Sequence, residues 1–157
     1  MLLTLMRHGL SERFQGDDAT RPLTAPGRSI VSDVVRGLKH GGWLPGAVVC
    51  SPLVRSMQTA KIVIEHYPGL PMEVLGEVVQ AGPDLLRAMG EHELIDPLVI
   101  GHEPGLSRLS ASLIGAEGLM AFEEASVACF RLDDLPPRRH AELIFFAPPS
   151  FALAART

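Results

Sequence analysis

Arg7-His8-Gly9, Arg21, Arg55 and Gly101-His102 are the residues of this chain whose types and positions could do chemistry. The two histidines and Arg7 directly follow short apolar runs and Arg55 lies just beyond another, where a purely structural reading has no need of them. Three guanidiniums and two imidazoles gathered in one place would make an anion site. A phosphoryl group, with about −1.5 to −2 charge at neutral pH, suits planar guanidinium forks and helix N-termini. A neutral imidazole beside such a group is also a nucleophile, able to divide one difficult hydrolysis into two easier displacements.

These residues meet only if the chain folds so as to gather them. Leu2–Met6, interrupted only by Thr4, reads as a buried strand running into Arg7-His8-Gly9, and the stretch from Ser11 to Pro22 is too charged to be core. Thr24 is positioned to cap a helix from Ala25, whose apolar residues Ile30, Val31, Val34, Val35 and Leu38 recur at helical spacing until Gly41-Gly42. Ala47–Cys50 is a second strand, after which Ser51-Pro52 reads as a helix start with Ser51 as cap and Leu53, Val54, Met57, Ala60 and Ile64 as its core face. Met72–Leu75 reads as a third strand and Gly82-Pro83-Asp84 leads into a short helix carrying Leu85, Leu86 and Met89. Pro97–Ile100 is a fourth strand, followed by a helix from Pro104 with Leu106, Leu109 and Leu113.

The alternation of strand and helix predicts an α/β fold, a three-layer α/β/α sandwich with a mostly parallel central sheet. Ala125–Leu132 and Ala141–Phe146 would add two strands, antiparallel or at an edge, and no linker divides residues 1–157 into more than one domain. In open sheets of this kind the carboxyl ends of the strands form the crevice where ligands bind. Arg7, His8, Arg55 and His102 all lie at or just beyond such ends, so they are expected to converge.

Composition narrows the partners. The chain of 157 residues has 18 acidic and 14 basic side chains, a net charge of −4, which disfavours nucleic acid and anionic membrane surfaces as partners. Leu2–Met6 is too short for a signal peptide or a membrane span, and Cys50 and Cys129, each in an apolar run, read as reduced core residues of a cytoplasmic protein. Cys50 and Arg55 have four residues between them, one fewer than the Cys-x5-Arg loop of cysteine phosphatases, and no nucleophile elbow, phosphate loop or metal-ligand spacing is present. No metal or other cofactor is expected. His40, His66, His92 and His140 stand outside every motif and read as solvent-facing or helix-terminal, whereas Glu103 could either orient an arginine or solvate a helix start.

Arg7-His8-Gly9, Arg21-Pro22-Leu23-Thr24, Ser51-Pro52-x-x-Arg55-x-x-Gln58-Thr59 and Gly101-His102, in this order, resemble the histidine phosphatase (phosphoglycerate mutase-like) superfamily, and within it the small SixA-like phosphohistidine phosphatase branch. The resemblance implies that His8 is the nucleophile and that Arg7, Arg21, Arg55, His102 and the backbone at Gly9 hold the phosphate, with His102 as an imidazolium donor. It also implies a general acid between the third strand and the next helix, where Glu77 and Asp84 both lie, neither in the Trp-Glu-Gly context of ester-cleaving relatives. Leu10 and Phe14 replace the Glu and Asn of mutase-like sequences, which argues against mutase activity. The expected substrate is a phosphorylated protein, such as a phosphotransfer domain, or a small phosphoester; a binding module without turnover is the non-enzymatic alternative.

Overall fold

The computed structural model describes residues 1–14, 16–116 and 120–154, the last two by backbone alone. Six strands form one sheet: β1 (Leu2–Arg7), β2 (Ala47–Cys50), β3 (Met72–Val74), β4 (Pro97–Gly101), β5 (Val127–Arg131) and β6 (Glu142–Ala147). Their order is β3-β2-β4-β1-β5-β6; the first four run parallel, and β5 and β6 are antiparallel to their neighbours. The mostly parallel sheet with an antiparallel addition is as the sequence predicts. Five helices accompany it: α1 (Ala25–His40), α2 (Val54–His66), α3 (Pro83–Glu91), α4 (Gly105–Ile114) and the short α5 (Phe151–Ala154).

Side chains alternate across each strand, so the sheet has two buried faces. Met6, Val48, Cys50, Leu98, Ile100 and Val127 pack against Val31, Val34, Val35 and Leu38 of α1 and Ala60 and Val63 of α2. Leu3, Leu5, Val49, Val99, Ala128 and Phe130 pack against Leu85 and Met89 of α3 and Leu106, Leu109 and Leu113 of α4. The helix that follows β1 therefore covers one face and the helix that follows β4 covers the other, although β1 and β4 are neighbours. The chain thus parts between β1 and β4, a switch point where a crevice opens beyond the strand ends. Cys50 and Cys129 are buried free thiols, and no described helix is long and apolar enough to cross a membrane.

Two helix faces differ from those the sequence predicts. Ile30 is 39% exposed, because the buried stripe of α1 runs through Gly27, Val31, Val34, Val35 and Leu38. α2 begins at Val54 rather than at Ser51-Pro52, and Ser51 makes no cap there. Its buried face is Arg55, Ser56, Thr59, Ala60, Ile62 and Val63, while Leu53, Val54, Met57 and Ile64 are only partly buried. The first turns of α2 bury polar residues because these bond to the ends of the strands. Hydrophobic spacing alone cannot register that.

Candidate active site

Strand pairing brings the two histidines together. Arg7 on β1 is registered with Gly101 on β4, the His8 N–H donates to the Gly101 carbonyl at 3.2 Å, and the His8 and His102 rings lie 5.1 Å apart between centroids. Both side chains are buried. Nδ1 of His8 lies 2.7 Å from the Gly9 carbonyl oxygen, which can only accept, so Nδ1 carries the proton and Nε2 the lone pair. The Nε–H of Arg55 donates to that Nε2 at 3.1 Å. Burial lowers the His8 pKa from 6.5 to about 4, helped by the charges of Arg55, Arg7 and Arg21 against the opposing pull of the Gly9 carbonyl. His8 is a neutral imidazole.

The Ser51–Thr59 run is a set of anchors on one helix start. The Ser51 hydroxyl meets His102 Nε2 at 2.6 Å, and Ser56 Oγ donates to the Ile100 carbonyl while accepting from the Ser51 N–H. Gln58 Oε1 accepts the Leu23 N–H at 2.8 Å, which ties Arg21-Pro22-Leu23-Thr24 to α2. Thr59 Oγ1 donates to the Arg55 carbonyl and accepts the Gly9 N–H at 3.1 Å. Thr24 accepts from the Gly27 N–H, the predicted cap, and also donates to the Leu10 carbonyl, so α1 and the loop after β1 are fastened to each other.

Gly9 is also a point where α1 comes close to the loop after β1. A Cβ on it would stand 2.6 Å from Val31 Cγ2 and 3.1 Å from the Gly27 carbonyl, so the missing side chain admits α1.

Each guanidinium already has an anionic neighbour. Arg55 donates to the backbone carbonyl of Asp18 at 2.8 Å and to its Oδ2 at 3.0 Å, and Arg21 donates to Asp18 Oδ1 at 2.8 Å. Arg7 donates to the Phe122 carbonyl at 2.8 Å and to Glu124 Oε1 at 2.9 Å. Sequence reasoning missed both acids. For Asp18, which lies in a turn of 3-10 helix (Asp18–Thr20) capped by Asp17, the available signal was its spacing of three from Arg21. Its pKa is lowered: burial pushes it up, but the bond to Arg55 and the charges of Arg55 and Arg21 outweigh that.

Glu103 lies at a helix start and is linked to Arg7 only through the peptide at Phe122. Its carboxylate accepts the Ser107 N–H at the start of α4 and the Phe122 N–H at 2.8 Å, so it holds the peptide segment whose carbonyl receives Arg7. It touches no arginine directly among the described residues. The other four histidines stay outside the crevice; His66 ends α2 and bonds Ser32, and His92 caps α3 and pairs with Glu73.

Four buried side-chain polar atoms have no partner among the described residues, and two of them belong to this group, Arg7 Nε and His102 Nδ1; the other two are the hydroxyls of Ser110 and Ser126. His102 is itself neutral, its pKa lowered to about 3 by burial first and then by His8 and Arg55, with Asp18 opposing. An imidazolium at 102 is therefore not its resting form. Glu77 is exposed in a second turn of 3-10 helix (Gly76–Val79), and Asp84 is exposed on α3 and paired with Arg87 at 3.1 Å. Among the described residues neither carboxylate bonds to His8, Arg7, Arg55 or His102, although Val78 packs near Gly101. No three His, Cys, Asp or Glu side chains cluster as a metal site among the described residues.

Known proteins share the fold of this chain and part of its sequence. A family model described as "Histidine phosphatase superfamily (branch 1)" matches residues 3–78. The protein histidine phosphatase SixA, solved in complex with tungstate, is 27% identical with a TM-score of 0.82, over 96% of this chain and 99% of that one. A SixA from Agrobacterium tumefaciens described as a putative phosphohistidine phosphatase is 18% identical with a TM-score of 0.79, covering 94% and 97%. An Escherichia coli protein described as a putative alpha-ribazole-5'-P phosphatase is 19% identical with a TM-score of 0.75, covering 95% and 97%. A search of curated protein sequences finds no match. Residues 3–78 thus match the histidine phosphatase superfamily, and the chain as a whole has the mixed α/β, phosphoglycerate mutase-like fold of the phosphatases it resembles.

Proposed function

We propose that this protein removes the phosphoryl group from phosphohistidine on another protein, through a covalent phosphohistidine formed on its own His8. The observation that carries the mechanism is the neutral His8 whose Nε2 lone pair is met by Arg55, with the charges of Arg7 and Arg21 also acting on the ring. In the first step Arg55 turns its Nε–H from His8 onto the entering phosphate, and Nε2 attacks phosphorus in line. The bond from phosphorus to the leaving nitrogen breaks, its electron pair goes to the departing imidazole, and a proton from water neutralises that ring. In the second step water attacks phosphorus, the P–Nε2 bond breaks, and the pair returns to Nε2 as inorganic phosphate leaves. Arg7, Arg21 and Arg55 stabilise the equatorial oxygens in both steps.

A protein substrate is favoured over a small ester by three considerations. The similar SixA is described as a protein histidine phosphatase, and the connections after β2 and β4, residues 51–53 and 102–104, are too short to fold over the crevice. Phosphohistidine also makes the smaller chemical demand, because an alkoxide leaving group needs an acid whose contribution is typically about 10²–10⁴-fold. The second reading, a phosphomonoesterase, assigns that acid to Glu77, whose segment adjoins the end of β4, with Asp84 as the alternative. Two buried free thiols suit the reducing cytoplasm as the setting.

Competition between a phosphohistidine protein, such as a phosphotransfer domain, and a panel of phosphomonoesters tests this. The expected result is a higher kcat/KM on the phosphoprotein, with Glu77→Gln and Asp84→Asn each costing less on it than on an alkyl phosphate. A clear preference for any small ester would move the protein to the second reading.

A further inference from the structure

Ser51 and His102 form a pair whose proton arrangement can be counted. The serine is fully buried, His102 is 6% exposed, and their side chains meet at 2.6 Å between Oγ and Nε2. The Ser51 oxygen also accepts the Leu53 N–H at 3.3 Å. An N–H of the backbone can only donate, so the hydroxyl proton of Ser51 has one acceptor within reach among the described residues, which is Nε2 of His102. The neutral imidazole must then carry its own proton on Nδ1. That atom is buried and has no partner among the described residues, beside Arg7, Arg55 and His8.

We infer that Ser51 is a positioning residue that fixes His102 as the Nδ1–H tautomer, so that a neutral ring donates a hydrogen bond to a phosphate oxygen. The inference rests on the proposed phosphate-binding role of the crevice, but the proton count is independent of it. The reverse arrangement, with Nε2–H donating to the serine, would leave the hydroxyl proton buried without an acceptor. It would also turn the Nδ1 lone pair toward the anion. Outer partners of this kind commonly set which ring nitrogen is protonated. The device lets the site keep a donor at position 102 across neutral pH without an imidazolium, whose charge the neighbouring guanidiniums oppose.

Nitrogen-15 NMR of the histidine-labelled protein tests the assignment without any variant. The expected spectrum at neutral pH has a protonated, pyrrole-type Nδ1 and an unprotonated Nε2 for His102, identified by the loss of those signals in His102→Ala. A protonated Nε2 overturns the inference whatever the enzyme does. The functional half is read with tungstate as the probe: Ser51→Ala is expected to weaken its binding by about 10–100-fold, the range typical of lost outer-shell partners. In the His102→Ala background the same change is expected to add less than about twofold, since the effect passes through His102. An equal loss in both backgrounds would mean that Ser51 acts on packing and would overturn it. Failure to hydrolyse any phosphorylated substrate, with both binding results intact, would instead count against the proposed function alone.

Discussion

The Nε–H of Arg55 is directed at Nε2 of His8, 3.1 Å away, so the proposed nucleophile rests with its lone pair held by the side chain that must later hold its target. The same guanidinium spends its two terminal nitrogens on Asp18. Entry of a phosphate exchanges these internal bonds for bonds to its oxygens, and departure restores them.

His8→Ala is expected to abolish turnover while the protein stays folded. Rapid-quench labelling with a phosphodonor checks the role: wild type should form an acid-labile, alkali-stable adduct that the variant lacks. An acid-stable adduct, or full activity in the variant, removes His8 as nucleophile.

Acid should reach stability before it reaches the nucleophile. The folded pKa of His8, about 4, lies below the ordinary 6.5, so on acidification the unfolded chain takes up the proton first. Its contribution is full above about pH 6.5 and is lost as pH falls toward 4, on the order of 3 kcal/mol in all. His102, at about 3, extends the same loss further down. Thermal melts from pH 7 to 4 should therefore steepen below 6.5 and flatten in His8→Ala. Over the same range kcat/KM, corrected for substrate ionisation, should have no enzyme step near 6.5.

Arg55→Ala is expected to lower kcat/KM by about 100-fold, the scale of a lost oxyanion donor, and Arg55→Lys to recover little of it. A lysine supplies charge but neither the Nε–H toward His8 nor the fork toward the phosphate. Single-turnover kinetics on both variants decide this; a lysine variant near wild type would mean that charge alone matters.

Asp18→Asn should tighten inhibition by inorganic phosphate by roughly fivefold, since it removes a half-exposed negative charge beside Arg21 and Arg55 and keeps the carbonyl contact to Arg55. The inhibition constant at low and high salt is the measurement. Weaker inhibition would assign Asp18 to holding the guanidiniums in place rather than to competing for them.

Gly9→Ala should destabilise the protein by about 1–3 kcal/mol through overpacking, its Cβ meeting Val31 Cγ2 at 2.6 Å. Val31→Ala removes that carbon, so the double variant should recover part of the loss in denaturant melts. Additive losses would place the strain against the Gly27 carbonyl instead.

The strands, four of the helices and the four core positions of the crevice were legible because their signals are local: apolar runs that end on Arg7-His8 or Gly101-His102, and Thr24 before an apolar spacing of three and four. What stayed hidden depends on distant partners. The buried polar face of α2 follows from Ser51 meeting His102 and Ser56 meeting the Ile100 carbonyl. Nothing within the helix marks Leu53 and Met57 as the less buried side. Asp18 and Glu124 are acids in polar stretches, uninformative by type, and acquire meaning only where Arg21, Arg55 and Arg7 end. The reason for Gly9 lies on α1, more than twenty residues away in sequence.

The pairing of Arg7 with Gly101 works as a gauge. It fixes the separation of His8 and His102 in the hydrogen-bond ladder of the sheet interior, where a slip of one residue would exchange the side chains of β1 between two differently packed buried faces. Chain lengthened or shortened in the connections beyond the strand ends leaves that spacing unaltered. The reactive centre and the rim that selects its substrate can accordingly change independently. A swap of rim segments between proteins of this fold should therefore redirect selectivity without re-engineering the chemistry.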